Sequence, residues 1–263
     1  LKPGLAQLGS VWLPLPHLLM VPTIWSDFMW HSGLSGALQS MIAFVATGLL
    51  IYFFLEKLGV GLLGKVVGVS IFIANINILY MQSTAMTELL LLATMTAGVY
   101  ELVRWHQEDT LLHLIKSAFW IMLSTLIRYD GWFLLVFAGA LVILHAFRKR
   151  GFKGAEGTFI LYATLAGLGI ALWLLWNQLI FKDALYFIFG PYSAHAQQTQ
   201  LEEAGVLATK WNLLLSSKIY LYALAYNTGM FTLLMGAFGA IVLCFDKSIK
   251  TPVKIALSAL FAP

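Results

Sequence analysis

Apolar residues along this chain come in long unbroken runs, without the strict alternation of apolar and polar positions that marks strands. Seven runs are long enough to cross a bilayer as helices, at about 1.5 Å per residue against a hydrocarbon core of roughly 30 Å. They are 34–55, 61–81, 86–104, 111–127, 131–147, 157–181 and 218–245, and an eighth begins at 252 and is incomplete. Lipid offers backbone groups no hydrogen-bonding partner, so spanning segments must be helices or strands of a closed barrel, and the missing alternation decides for helices. The pattern predicts an all-α, polytopic transmembrane bundle forming a single domain over 1–263. Its parts are an outer interfacial segment 1–33, six spans in 34–181, a long outer loop 182–217 and the last spans in 218–263. Segments 17–31 and 200–215 read as helices lying along the membrane surface.

Charge then gives the runs a direction. One side of the predicted topology holds eleven basic residues, among them Lys57, Arg104, Arg148, Lys149, Arg150 and Lys153, and the other holds five: Lys2, Arg128, Lys182, Lys210 and Lys218. The positive-inside rule places the richer side in the cytoplasm and the N-terminal segment outside. Trp12, Trp25, Trp30, Trp132, Trp176 and Trp211 then fall at the outer interface, where amphipathic rings settle.

Composition agrees with this class: 60% of residues are hydrophobic and 11% charged, with a mean hydropathy of +0.84. A soluble domain carries about 25% charged residues, so a soluble enzyme is excluded. The +4 net charge is topological and does not point to nucleic acid. Cys244 is the only cysteine and makes no intramolecular disulfide, and no Cys/His spacing suggests zinc. The first residue is Leu1 and the sequence stops at Phe261-Ala262-Pro263 inside an apolar run, which predicts a piece of a longer protein with a further span before Leu1.

Candidate chemistry gathers in four outer segments. The first, Trp12-Leu13-Pro14-Leu15-Pro16-His17, is a proline-punctuated connector in which His17 is able to donate to a phosphate or move a proton. Asp27 and His31 nearby share a helix face but are too few for a metal. The second is the turn from Asn75 to Glu88, where Glu88 is either an ordinary first-turn acid of a helix capped by Ser83 or Thr84, or a rim carboxylate for acid–base chemistry beside Asn75 and Asn77. The third is Arg128-Tyr129-Asp130-Gly131-Trp132. Arg128 is the one arginine of four on the outer side, and its guanidinium either pairs locally with Asp130 or binds phosphate. The fourth is the loop from Asp183 to Gln198, where Tyr192 and His195 offer hydroxyl and imidazole groups to a sugar or a lipid headgroup, unless the loop is inert. Signatures of soluble enzymes such as a P-loop, GxGxxG, HExxH or GxSxG do not occur.

Together these four motifs resemble prokaryotic membrane glycosyltransferases of the GT-C class. The resemblance is to proteins similar to dolichyl-phosphate-mannose protein mannosyltransferases and lipid A aminoarabinose transferases (family 39-like), and it covers nearly the whole chain in the same order of spans and loops. It implies inverting transfer of a sugar from a polyprenyl-phosphate donor to a protein, lipid or glycan acceptor at the outer face of a prokaryotic cytoplasmic membrane. It also implies a principal carboxylate base in a first outer loop upstream of Leu1, so that the piece given is inactive by itself. Glu88 matches a supporting acid, His17 the histidine of the first motif, and Arg128 and Asp130 the turn between spans. Ala184 stands where the resemblance expects a proline. No metal site is implied and a divalent ion is left open. A secondary transporter or a non-catalytic lipid-binding membrane protein is the alternative.

Overall fold

The computed structural model describes residues 4, 5, 8 and 11–261. Leu1, Lys2, Ala262 and Pro263, which entered the reading above, lie outside the described residues. The described residues form helices and no strand, as the pattern predicts: α1 Leu15–Met20, α2 Asp27–His31, α3 Leu34–Lys57, α4 Leu62–Ile73, α5 Ile76–Gln82, α6 Glu88–Glu108, α7 Leu111–Thr125, α8 Asp130–Phe181, α9 Tyr186–Phe189, α10 Ala194–Glu203, α11 Leu213–Thr228, α12 Met230–Phe245 and α13 Thr251–Leu257, then a 3-10 turn Ser258–Phe261.

Two of these helices, Leu34–Lys57 and Asp130–Phe181, are long and apolar enough to cross a bilayer, and the number rises to four if each of two bent pairs is one span. The bends are where straight runs were expected. Run 61–81 breaks by 64° between α4 and α5, because the Asn75 side chain accepts from the backbone N–H groups of Asn77 and Ile78 and starts a new helix. Run 218–245 breaks by 101° at Gly229, whose φ of 82° no helix accommodates. The helix expected over 200–215 ends instead at Glu203, and Trp211, at a φ of 58°, lies between it and α11. Segment 17–31 holds two short helices in place of one.

In the opposite sense, runs 131–147 and 157–181 belong to one stretch of helix interrupted only at Gly151 (φ 69°, ψ −171°). Were α8 straight, residues 139 and 159 would stand about 30 Å apart. A Cβ built on Gly139 lies instead 3.7 Å from the Phe159 ring and 3.9 Å from that of Tyr162. Arms 130–150 and 152–181 therefore fold back on each other at Gly151.

The chain divides into two compact units, Leu13–Leu174 with Ser248 onward, and Leu175–Lys247 with the residues up to Trp12. In the larger unit α3 sorts its residues by size. The inward face of α3 carries Ser35, Gly36, Ala37, Ser40, Ala43 and Thr47, while Leu38, Ile42, Val45, Leu49 and Phe53 are exposed. Small residues let helix backbones approach closely, and bulky apolar ones face outward at no cost only in an apolar solvent. Ser117 and Ala118 of α7 are likewise fully buried, with Ser117 Oγ donating to the Gly98 carbonyl at 2.8 Å.

Polar residues of this unit collect at its two ends. At one, Lys57 donates to Glu108 at 2.6 Å, His113 lies between Glu101 (2.6 Å) and Glu108 (3.0 Å), and Asp109 takes Arg150 at 2.6 Å and Lys149 at 3.0 Å. The hydrogen bond from Lys57 holds the Glu108 carboxyl below its ordinary value. Burial pushes Asp109 up, but the bonds from Arg150 and Lys149 outweigh it and leave that carboxyl depressed too. A carboxylate with a depressed folded-state pKa contributes stability that is complete above the unfolded value, near 4, and is lost as pH falls through the folded value. The loss of melting temperature in detergent that these carboxylates cause should therefore set in below about pH 4. Asp109→Asn should start lower at neutral pH and lose less on acidification. Equal acid responses in the two proteins would mean that the Asp109 ion pairs add nothing.

Candidate functional site

The other end of the larger unit brings three of the four motifs together. The α7 helix stops at Thr125 and α8 starts at Asp130, so residues 126–129 form a tight turn. That turn is possible because position 131 is glycine: a Cβ there would stand 2.5 Å from the carbonyl carbon and oxygen of Ser124. Trp132 Nε1 donates to the Thr125 carbonyl at 3.0 Å and Tyr129 meets the Trp132 ring edge-on at 5.3 Å.

The turn aims Arg128 across to the start of α6. Its Nη1 donates to Glu88 Oε1 at 3.0 Å and its Nε to Asp130 Oδ2 at 2.9 Å, while Thr87 Oγ1 lies 3.5 Å from Nη1. Glu88 and Asp130 are each the first residue of a helix, where the dipole favours a negative charge. One guanidinium thus bridges the acidic starts of two helices, and the local charge is −1 from two carboxylates and one cation. All three side chains are about one-third to under one-half exposed, so the cluster opens at the end of the bundle. Two groups in it have no hydrogen-bond partner among the described residues: the buried Oε2 of Glu88, and Nη2 of Arg128. On a fixed pair, these are a buried acceptor and a double donor. The capping expected from Ser83 or Thr84 is not the arrangement found. Their hydroxyls turn back to the carbonyls of Tyr80 and Met81, and Thr87 precedes the helix without a side-chain cap.

The proline-punctuated motif lies against the same turn. Leu15 N–H donates to the Leu126 carbonyl at 3.1 Å, and Gln39 of α3 donates to the Pro16 carbonyl at 3.3 Å. Ser40, fully buried, donates to the Met86 carbonyl at 2.8 Å. A Cβ on Gly36 would overlap the Cβ of Ala85 and lie 2.9 Å from its Cα, so α3 is pressed against the 83–87 turn. His17, half-buried, places Nδ1 3.3 Å from the Leu13 carbonyl and makes no bond to Arg128, Glu88 or Asp130. Burial pushes the Tyr129 phenol up to about 12, with the neighbouring Trp173 indole opposing, so this residue is a neutral hydrogen-bonding group at any physiological pH. His31 Nδ1 faces the Asp27 carbonyl at 2.8 Å, not the Asp27 carboxylate.

Tyr192 and His195 belong to the smaller unit. There Ser193 caps α10 by accepting from the Ala196 N–H, and Tyr192 is exposed. His195 borders a cavity of about 350 Å³ with Gln198, Thr199 and the ion pair of Lys210 with Glu202. Not singled out from the sequence are Ser40, which holds the 83–88 turn, Gln39, which holds the proline-punctuated segment at Pro16, and Thr87, which meets Arg128. The available signal was a polar residue on the α3 face that otherwise carries glycine and alanine. Glu101 and His113 belong to none of the four motifs, although a glutamate among the apolar neighbours Val99, Leu102 and Val103 calls for a partner. No protein-family model, curated protein or solved structure matches this chain.

Proposed function

We propose that this chain is the membrane portion of a GT-C-type glycosyltransferase, moving a sugar from a polyprenyl-phosphate carrier to an acceptor hydroxyl at the outer face of a prokaryotic cytoplasmic membrane. The observation that carries the reading is the bridge of Arg128 between Glu88 and Asp130, formed by motifs 40 residues apart and opening at one end of the bundle. Seven crossings complete the topology: α3, the α4–α5 pair, α6, α7, the two arms of α8 and the α11–α12 pair. The alternation is consistent within the larger unit, where the ends of α3, α6 and the first arm of α8 meet at the charged end, and the starts of α6 and α8 meet at the other.

In the reaction the acceptor oxygen attacks the anomeric carbon, the bond from that carbon to the phosphate oxygen breaks, and the acceptor proton passes to a carboxylate base. Lipid phosphate leaves with the bonding electrons. The free Nη2 of Arg128 is suited to the phosphate oxygens, at the cost of approaching two carboxylates, and Glu88 Oε2 is suited to receive a hydrogen bond from the acceptor hydroxyl. Glu88 acts here as a supporting acid. Tyr129 and Trp132 pack the turn, and His17 lies beside it on the strand of chain that Leu15 fixes to Leu126.

A secondary transporter is the second reading, favoured by the two bent helix pairs, since discontinuous helices line transport sites. The test gives membranes containing the natively encoded protein a polyprenyl-phosphate sugar labelled in the sugar. Label passing to a non-lipid or larger lipid acceptor, with release of polyprenyl phosphate, is the expected result. Label that stays on the carrier while the intact lipid-linked sugar passes from one side of the membrane to the other would replace the transferase by a transporter.

A further inference from the structure

The charged end of the larger unit contains a cavity of about 480 Å³ that the reading above does not use. His106 at the end of α6 and His145 in the first arm of α8 line it, their rings 4.2 Å apart. His106 is only 7% exposed, and its Nδ1 lies 2.9 Å from the Leu102 carbonyl. A carbonyl only accepts, so the proton sits on Nδ1 and Nε2 presents a lone pair. The Nε2 atoms of both histidines are buried and have no hydrogen-bond partner among the described residues. An unpaired buried polar nitrogen is costly, and two of them on one cavity wall, that of His106 an acceptor, define a place for hydroxyl groups, which both donate and accept.

The rest of the lining narrows the donor. Arg148 and Lys149 stand at the cavity, and Leu144 and Ile255 give it apolar walls. Lys149 is occupied by Asp109 at 3.0 Å, whereas Arg148 makes no ion pair among the described residues. A ligand that satisfies all of this carries hydroxyl groups for the imidazoles, an anion for Arg148 and an apolar body for the walls. A free sugar phosphate lacks the last, a fatty acid the first, and a choline headgroup has no donor.

We infer that this cavity binds an acidic phospholipid whose headgroup bears free hydroxyls, as in phosphatidylglycerol. Its hydroxyls donate to His106 Nε2 and hydrogen-bond with His145 Nε2, its phosphate accepts from Arg148, and its acyl chains leave along Leu144 and Ile255. Basic pockets between helices are suited to such headgroups, and the site is independent of the transferase reading at the opposite end.

The test follows retained lipid by native mass spectrometry after the full-length protein is stripped and offered three probes. These are phosphatidylglycerol, phosphatidylcholine with the same acyl chains, and glycerol phosphate. Phosphatidylglycerol should be retained roughly tenfold better than phosphatidylcholine, and Arg148→Gln or His145→Phe should each lower that retention roughly tenfold. Arg148 is exposed, so its loss leaves the fold in place, and Lys153→Gln, on the same basic stretch but outside the cavity, should retain lipid like the parent protein. Equal retention of the two lipids, or retention indifferent to Arg148 and His145, would overturn the proposal. Binding of glycerol phosphate as tight as that of the lipid would overturn the lipid assignment.

Discussion

Glu88→Gln should lower sugar transfer by roughly 100-fold in the full-length protein while leaving its melting temperature close to that of the parent. The substitution keeps an oxygen in reach of Arg128 Nη1 but removes the charge. Asp130, 2.9 Å from Nε, still neutralises the guanidinium, so no buried cation is stranded. What changes is Oε2, which in the parent is a buried, unpartnered carboxylate oxygen and in the variant becomes either an amide nitrogen or a weaker acceptor. Arg128→Lys should be as damaging, because an ammonium that bridges two carboxylates has one donor left and lacks the planar fork that grips a phosphate. The double substitution should cost no more than the worse single one, since both act through one contact. The loss should fall on kcat more than on KM, and Glu88→Asp should restore part of it, which a merely structural carboxylate would not require. Full activity in both single variants would remove this cluster from the mechanism even if the transferase reading stood.

Gly131→Ala should destabilise the protein by about 1–3 kcal/mol and reduce transfer with it. The added carbon would be 2.5 Å from the Ser124 carbonyl and 2.8 Å from its Oγ, and backbone atoms at the end of a packed helix have little room to retreat. Gly169 presses on the same stretch from the second arm of α8: its Cβ would run into Thr125 Oγ1 and stand 2.8 Å from the Met122 carbonyl. The end of α7 is thus held between two glycines, and the turn that aims Arg128 depends on both. Gly169→Ala should therefore copy Gly131→Ala, whereas Gly167→Ala, two residues away with nothing within 4 Å, should be neutral or stabilising by about 0.5–1 kcal/mol. Thermal unfolding of the three variants in one detergent reads this directly, and equal midpoints for Gly167→Ala and Gly169→Ala would discard the close-packing account.

Helix α3 was legible almost to its ends, 34–55 against Leu34–Lys57, because an uninterrupted apolar run between Gly33 and Lys57 leaves little else to form. The same holds for α6 and α7, set off from each other by Asp109 and Thr110. Breaks inside apolar runs were not legible. Asn75 redirects the chain through its own side chain, and Gly229 through a φ that hydropathy does not register. In the site, the local pairing of Arg128 with Asp130 could be read from their spacing. Its bond to Glu88 could not, since nothing in a periodic pattern reports which helix starts lie side by side. The lone outer arginine and the rim glutamate were visible as separate anomalies, and only packing, through Gly131 and Gly36, makes them one site.

The way α3 divides its faces also says where this protein is free to drift. Leu38, Ile42, Val45, Leu49 and Phe53 look outward, and exchange among branched apolar residues there disturbs little of the packing. Ser35, Gly36, Ser40, Ala43 and Thr47 look inward, and at Gly36 one added carbon would overlap Ala85. The familiar ordering of mutational tolerance, with bulky apolar positions constrained and small or hydroxylated ones permissive, is reversed along this helix. Related chains should consequently share their serines, alanines and glycines more faithfully than their leucines.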